Sequence, residues 1–128
     1  MVKGVLIIME RKEFEDLVTK ALGGLPRVFK DKLENVDIII EDEPNMDTVK
    51  ALGLGSKGHL LGFYQGVPLK ARTHYYGMVL PDKITLYKVN IERAARGGIY
   101  KEIKHVLQHE IGHHFGISDR RLKDIGAY

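Results

Sequence analysis

"KEIKHVLQHEIGHHFGISD", residues 101–119, carries two periodicities at once. Ile103, Leu107, Ile111 and Phe115 recur every fourth residue, which is the spacing of a helical stripe pressed on a core. His109 and His113 recur at the same spacing on another face, with Glu110 directly after the first. Residues four apart on a helix stand one above the other. The reading is therefore a helix over 100–115 that buries one flank and presents two imidazoles on a second. Gly116 ends it, because a helix commonly closes on a left-handed residue and glycine adopts that conformation freely.

Two imidazoles so placed can point at one tetrahedral ion, and zinc accepts nitrogen ligands in that geometry. In an H-E-x-x-H pattern the acid is not a ligand; it serves as general base toward water activated by the ion. Glu110 is the candidate for that role, and His109 and His113 are candidate ligands. After Gly116 the chain can turn back and bring Asp119 to the ion, giving H-E-x-x-H-x-x-G-x-x-D. This parallels the long metzincin pattern, with Asp where the last His would stand. Asp119 has a second reading, as an acid favouring the positive end of a short helix begun at Ser118.

The remaining histidines carry plainer expectations. His114 falls within the apolar stripe, so it reads as a packed, hydrogen-bonded residue supporting the site rather than a ligand. His105 lies one turn before His109 and reads as solvated surface. His59 and His74 fall in loop-like stretches. His74, beside Tyr75 and Tyr76, is a weaker candidate for an oxyanion donor.

Working outward, Phe14, Leu17, Val18, Ala21 and Leu22 share one face of a helix over 11–22 that Gly23, Gly24 and Pro26 stop. A shorter helix follows over 27–34. "VDIII" at 36–40 reads as a buried strand. One or two helical turns are expected over 46–52, then strands at 60–66 and 84–90. Asn90 is placed to cap a helix over 91–96. Few strands with helices on both sides in sequence predict an α+β fold, and 128 residues suit a single domain spanning 1–128.

Composition narrows the chemistry. The chain has no cysteine, which excludes disulfides, thiolate zinc sites and thiol catalysis. The net charge is +3, from 20 basic and 17 acidic residues that are interspersed, so no basic run marks a nucleic-acid binder. The apolar run Val5–Met9 is too short for a secretory core, and no stretch has the length of a membrane span. The expectation is a cytoplasmic protein acting on a peptide or protein, with no nucleic-acid or membrane partner.

With "HEIGHHFGISD" at 109–119, "ALGLGSKGHLLGFYQGVPL" at 51–69 and "LPDKITLYKVNIER" at 80–93, the chain resembles the minimal zincin-like metallopeptidase family. The resemblance covers most of the chain from about residue 11. It implies a minimal zincin-like domain, a small mixed sheet with several helices and the H-E-x-x-H on the penultimate one. It implies zinc held by His109, His113 and Asp119, with Glu110 as the catalytic acid and base, in a zinc-dependent metallopeptidase. It further implies that the strand at 84–89 runs beside the cleft, where a peptide pairs with a sheet edge. Two departures stand out. Ala71 and Arg72 occupy a segment where the family tends to carry an acid, and no methionine follows Asp119 to form a Met-turn. Two other readings remain open: a non-catalytic zinc-binding module that recruits a partner, and a metal-dependent endoribonuclease. The second fits poorly with an acid directly after the first histidine.

Overall fold

The computed structural model describes residues 9–53, 60–66, 82–116 and 120. Helix α1 (Arg11–Gly23) and helix α2 (Arg27–Lys32) lead to strand β1 (Val36–Glu41) and helix α3 (Met46–Ala51). Strands β2 (Gly62–Gln65) and β3 (Asp82–Tyr87) follow, then helices α4 (Lys88–Ala94) and α5 (Ile99–His114). The three strands form one sheet in the order β1-β3-β2. β1 runs parallel to β3 with Ile38 opposite Ile84, and β2 runs antiparallel to β3 with Tyr64 opposite Ile84. A parallel pair needs a long crossover, and here it contains α3 and β2. The fold is a small mixed α+β domain architecture, as the sequence predicts.

The core lies between the sheet and the helices. Phe14, Val18 and Ala21 of α1 meet Ile103, Val106, Leu107 and Ile111 of α5, with Ile84 and Leu86 of β3 beneath and Phe29 of α2 at one side. These are the apolar stripes read from the sequence, and their register explains the packing of α1 on α5. The stripe ends early, however. Ile103, Leu107 and Ile111 are fully buried, whereas Phe115 is 39 % exposed, its ring edge-on to Tyr64 at a centroid distance of 6.0 Å. At that end Lys32 Nζ lies 5.0 Å from the Phe115 ring centroid.

Three local expectations change. β1 is half-buried rather than buried; among the described strands it stands at the end of the order, and the strand buried from Ile84 onward is the central one, β3. The expected strand at 84–90 stops at Tyr87, and Lys88, Val89 and Asn90 begin α4. Asn90 therefore does not cap a helix. It sits inside α4, 1 % exposed, and its amide donates to the Leu60 carbonyl at 2.7 Å, tying α4 to the chain entering β2.

The amino-terminal segment is held from the same helix. The Met9 N–H donates to Glu92 Oε2 at 2.9 Å, and the same oxygen takes the Lys88 ammonium at 3.0 Å in a buried ion pair. Among the described residues no helix is long and apolar enough to cross a membrane.

Leu107 belongs to this core and is fully buried. Leu107→Ala should cost about 2–5 kcal/mol of stability. Urea unfolding followed by circular dichroism reads this, and a loss well under about 1 kcal/mol would mean that α5 is not seated on the core.

Candidate active site

α5 has no side-chain cap at its amino end, where Gly98 stands at φ +103°. It closes at its carboxyl end as expected, with Gly116 at φ +71° and its N–H donating to the His113 carbonyl at 3.2 Å. Within that frame His109 is half-buried and His113 exposed. Their ring centroids are 5.3 Å apart with the planes nearly perpendicular, at 88°. A zinc–nitrogen bond of about 2.0–2.1 Å puts each ring centroid about 3.2 Å from the ion, so two imidazoles sharing a tetrahedral zinc sit about 5.2 Å apart. The observed separation fits that demand, and imidazole is a donor that suits zinc. No group of three His, Asp or Glu able to hold a metal occurs among the described residues. Asp119, the expected third ligand, lies outside them, as do Ser118, His59, His74, Tyr75, Tyr76, Ala71 and Arg72.

Glu110 reaches from the helix to the sheet. Its Oε1 accepts the backbone N–H of Tyr64 at 3.1 Å. The strand register explains why that N–H is available. The Tyr87 N–H donates to the Leu61 carbonyl, so in this antiparallel pair Leu61, Phe63 and Gln65 spend their backbone groups on β3. Gly62 and Tyr64 direct theirs outward. β3 is bonded on both sides, so it cannot offer an edge to a peptide as the resemblance implies for 84–89. The strand edge that reaches the candidate site is that of β2.

Gly62 makes this approach possible. A β-carbon there would lie 2.6 Å from Val106 Cγ1 and 3.6 Å from Glu110 Cγ. Only a residue without a side chain lets the strand lie this close to α5. A glycine inside a strand pattern signals such an approach, so this contact had a trace in "LLGFYQG". Tyr64 and Asp82 had none. The Tyr64 hydroxyl donates to Asp82 Oδ2 at 2.8 Å, and the His114 ring stacks on Tyr64 at 3.7 Å and 15°. His114 Nε2 lies 4.0 Å from the same Asp82 oxygen. His114 is thus a packed supporting residue as expected, but it does not lie in the core. It is exposed, stacked over β2 at the end of α5 where the apolar stripe has run out. His105 is exposed, as expected, with its ring edge-on to His109 at 4.4 Å and its Nδ1 3.7 Å from Glu102.

Burial raises the proton affinity of Glu110 above the ordinary carboxylate range; the Tyr64 N–H and the nearby His113 pull the other way and offset only part of it. Because the folded state holds this proton more tightly than the unfolded chain, ionising Glu110 costs stability. The cost is absent below the ordinary carboxylate range and grows as pH rises through it. In metal-free protein, Glu110→Gln should therefore melt higher than the natural chain at about pH 7, and the gap should close by about pH 3.5. Thermal melts across that range check this; a gap independent of pH would contradict it. Separately, Gly62→Ala should destabilise the protein by about 1–3 kcal/mol through overpacking against Val106. A chemical-denaturation curve unchanged by the substitution would rule out the close approach.

Residues 33–127 match the family model described as zincin-like metallopeptidase. Among solved structures, a conserved hypothetical protein from T. thermophilus is similar at 26 % identity and a TM-score of 0.52, over 84 % of this chain and 94 % of that one. No curated protein matches. The matched span takes in β1, β2, β3 and the whole of α5 with its histidine pair, and on that evidence the chain belongs to the zincin-like metallopeptidase family.

Proposed function

We propose that the protein is a zinc-dependent metallopeptidase that hydrolyses peptide bonds, with Glu110 as general base and His109, His113 and Asp119 as the zinc ligands. The observation that carries this reading is the placement of Glu110. It flanks two histidines whose spacing suits one ion, and its carboxylate is fixed by a backbone N–H of β2. A structural zinc site needs no such acid. Family membership supports the same activity.

When bound, zinc supplies Lewis-acid polarisation of the scissile carbonyl and activation of water. The chain's own residues supply the rest. Glu110, with its raised proton affinity, takes a proton from the attacking water and delivers it to the leaving amine. The Tyr64 N–H fixes one carboxylate oxygen, leaving the other to handle the proton. β2 lies beside Glu110 and brings a strand of the sheet to the candidate site, the kind of element along which an extended peptide can be laid. Asp82 and His114 hold the Tyr64 ring, and through it the strand that positions Glu110.

Protein purified without chelator should carry about one zinc per chain. Glu110→Gln should retain that zinc and lose cleavage of a peptide library by at least about 10²-fold. Asp119→Ala should release zinc at lower chelator concentration. Equal cleavage by the Gln variant would sink the catalytic assignment and leave a zinc-binding recruitment module as the better reading, whereas unchanged zinc retention in Asp119→Ala would move the third ligand elsewhere.

A further inference from the structure

A groove of about 850 Å³ runs along the flank of α5 that faces away from β2, and it ends at His109. It is lined by Ala94, Gly97 and the Tyr100 ring and by three cations, Arg96, Lys101 and Lys104. We propose that this groove binds an acidic stretch of the polypeptide substrate, beyond the bond that is cut. The inference rests on the metallopeptidase reading for its placement, and on the groove itself for its chemistry.

Among the described residues, the ion pairs engage Lys12, Lys88 and Arg93 but none of the groove's three cations. The one acid in the groove, Glu102, faces His105 at 3.7 Å. Three such cations lining one groove create a positive field whose natural complement is a run of carboxylates. Lys104 Nζ is held 5.8 Å from the Tyr100 ring centroid, and Lys20 Nζ lies 5.0 Å from the same ring. The Tyr100 hydroxyl in turn lies over Gly24, where a β-carbon would come within 2.6 Å of it. The Tyr100 ring is therefore fixed by contacts from α1.

The length matches a peptide. From Ile99 to His109 the helix rises about 15 Å, which corresponds to about four or five residues of extended chain. On the same scale Lys104 lies about two residues from His109 and Lys101 about four. Acidic side chains two to four residues from the reacting bond would meet these cations. A single-stranded nucleic acid is the less suited anion. Such strands need an aromatic face for base stacking, and the Tyr100 ring already has two lysine ammonium groups over it.

The test uses fluorescein-labelled octapeptides with glutamates, or glutamines, at the second to fourth positions from the central bond. Binding to the metal-free protein is read by fluorescence anisotropy at low salt. The glutamate peptide should bind roughly tenfold more tightly, the combined effect of two or three exposed ion pairs. That advantage should disappear in Lys101→Gln/Lys104→Gln, whose folding is checked by its melting temperature. Equal binding of the two peptides overturns the proposal, as does an advantage that survives the double substitution. Tighter binding of an oligothymidylate of equal charge also overturns it, in favour of a nucleic-acid surface. Cleavage by the zinc-loaded protein separates the two readings. A glutamate preference in binding with neither peptide cut removes the peptidase and keeps the groove, whereas both peptides cut at equal rates with no preference in binding keeps the peptidase and removes the groove.

Discussion

The approach of β2 to α5 at Gly62 is the contact on which the candidate site depends. A helix and a strand edge ordinarily keep the distance their side chains impose. Here one position has none, and the strand settles against Val106 closely enough for a backbone N–H to reach the carboxylate of Glu110. Neither partner would hold the other alone. The helix supplies an acid whose rotamer must be fixed, and the strand supplies a donor that its own sheet leaves unused. The surroundings reinforce the contact. Asn90 ties the start of β2 to α4, while Asp82 and His114 grip the ring of Tyr64.

The same contact sets the electrostatics. Packing against the strand strips water from Glu110 and raises its proton affinity, and the single N–H recovers only part of that loss. A carboxylate in this state is costly for stability when ionised, and it takes up a proton more readily than an exposed one. The opposite flank of α5 is arranged differently. Arg96, Lys101 and Lys104 line a groove that leads to His109. One helix thus carries a seated core face, a histidine pair, a desolvated acid and part of a cationic groove, each at its own angle around the axis.

Much of this was legible in residues 101–119. Four-residue spacing gave both the core stripe and the histidine pair, because both are properties of a single helix. Gly116 marked the end correctly. The misreadings occurred where an isolated segment does not know its neighbours. "VDIII" is as apolar as a central strand, yet β1 stands at the end of the described strand order and is half-buried. Asn90 has the chemistry of a cap, but the strand stops early and its amide turns to Leu60. His114 lies on the apolar stripe of the wheel, but its ring stacks on Tyr64 of β2 in an exposed position rather than entering the core.

By itself the sequence determined the features that local geometry dictates: a helix with two imidazoles on one face, an acid between them, and a glycine to close it. They need only the turn of the helix and the spacing of the letters. Tertiary structure alone decided which strand became central, which edge was left outward, and that a tyrosine 46 residues away would hold the acid. The reason is that a backbone donor has no signature in its own residue type. Whether an N–H is spent within a sheet or left for a carboxylate depends on which strands pair, and that is settled only when the whole chain packs.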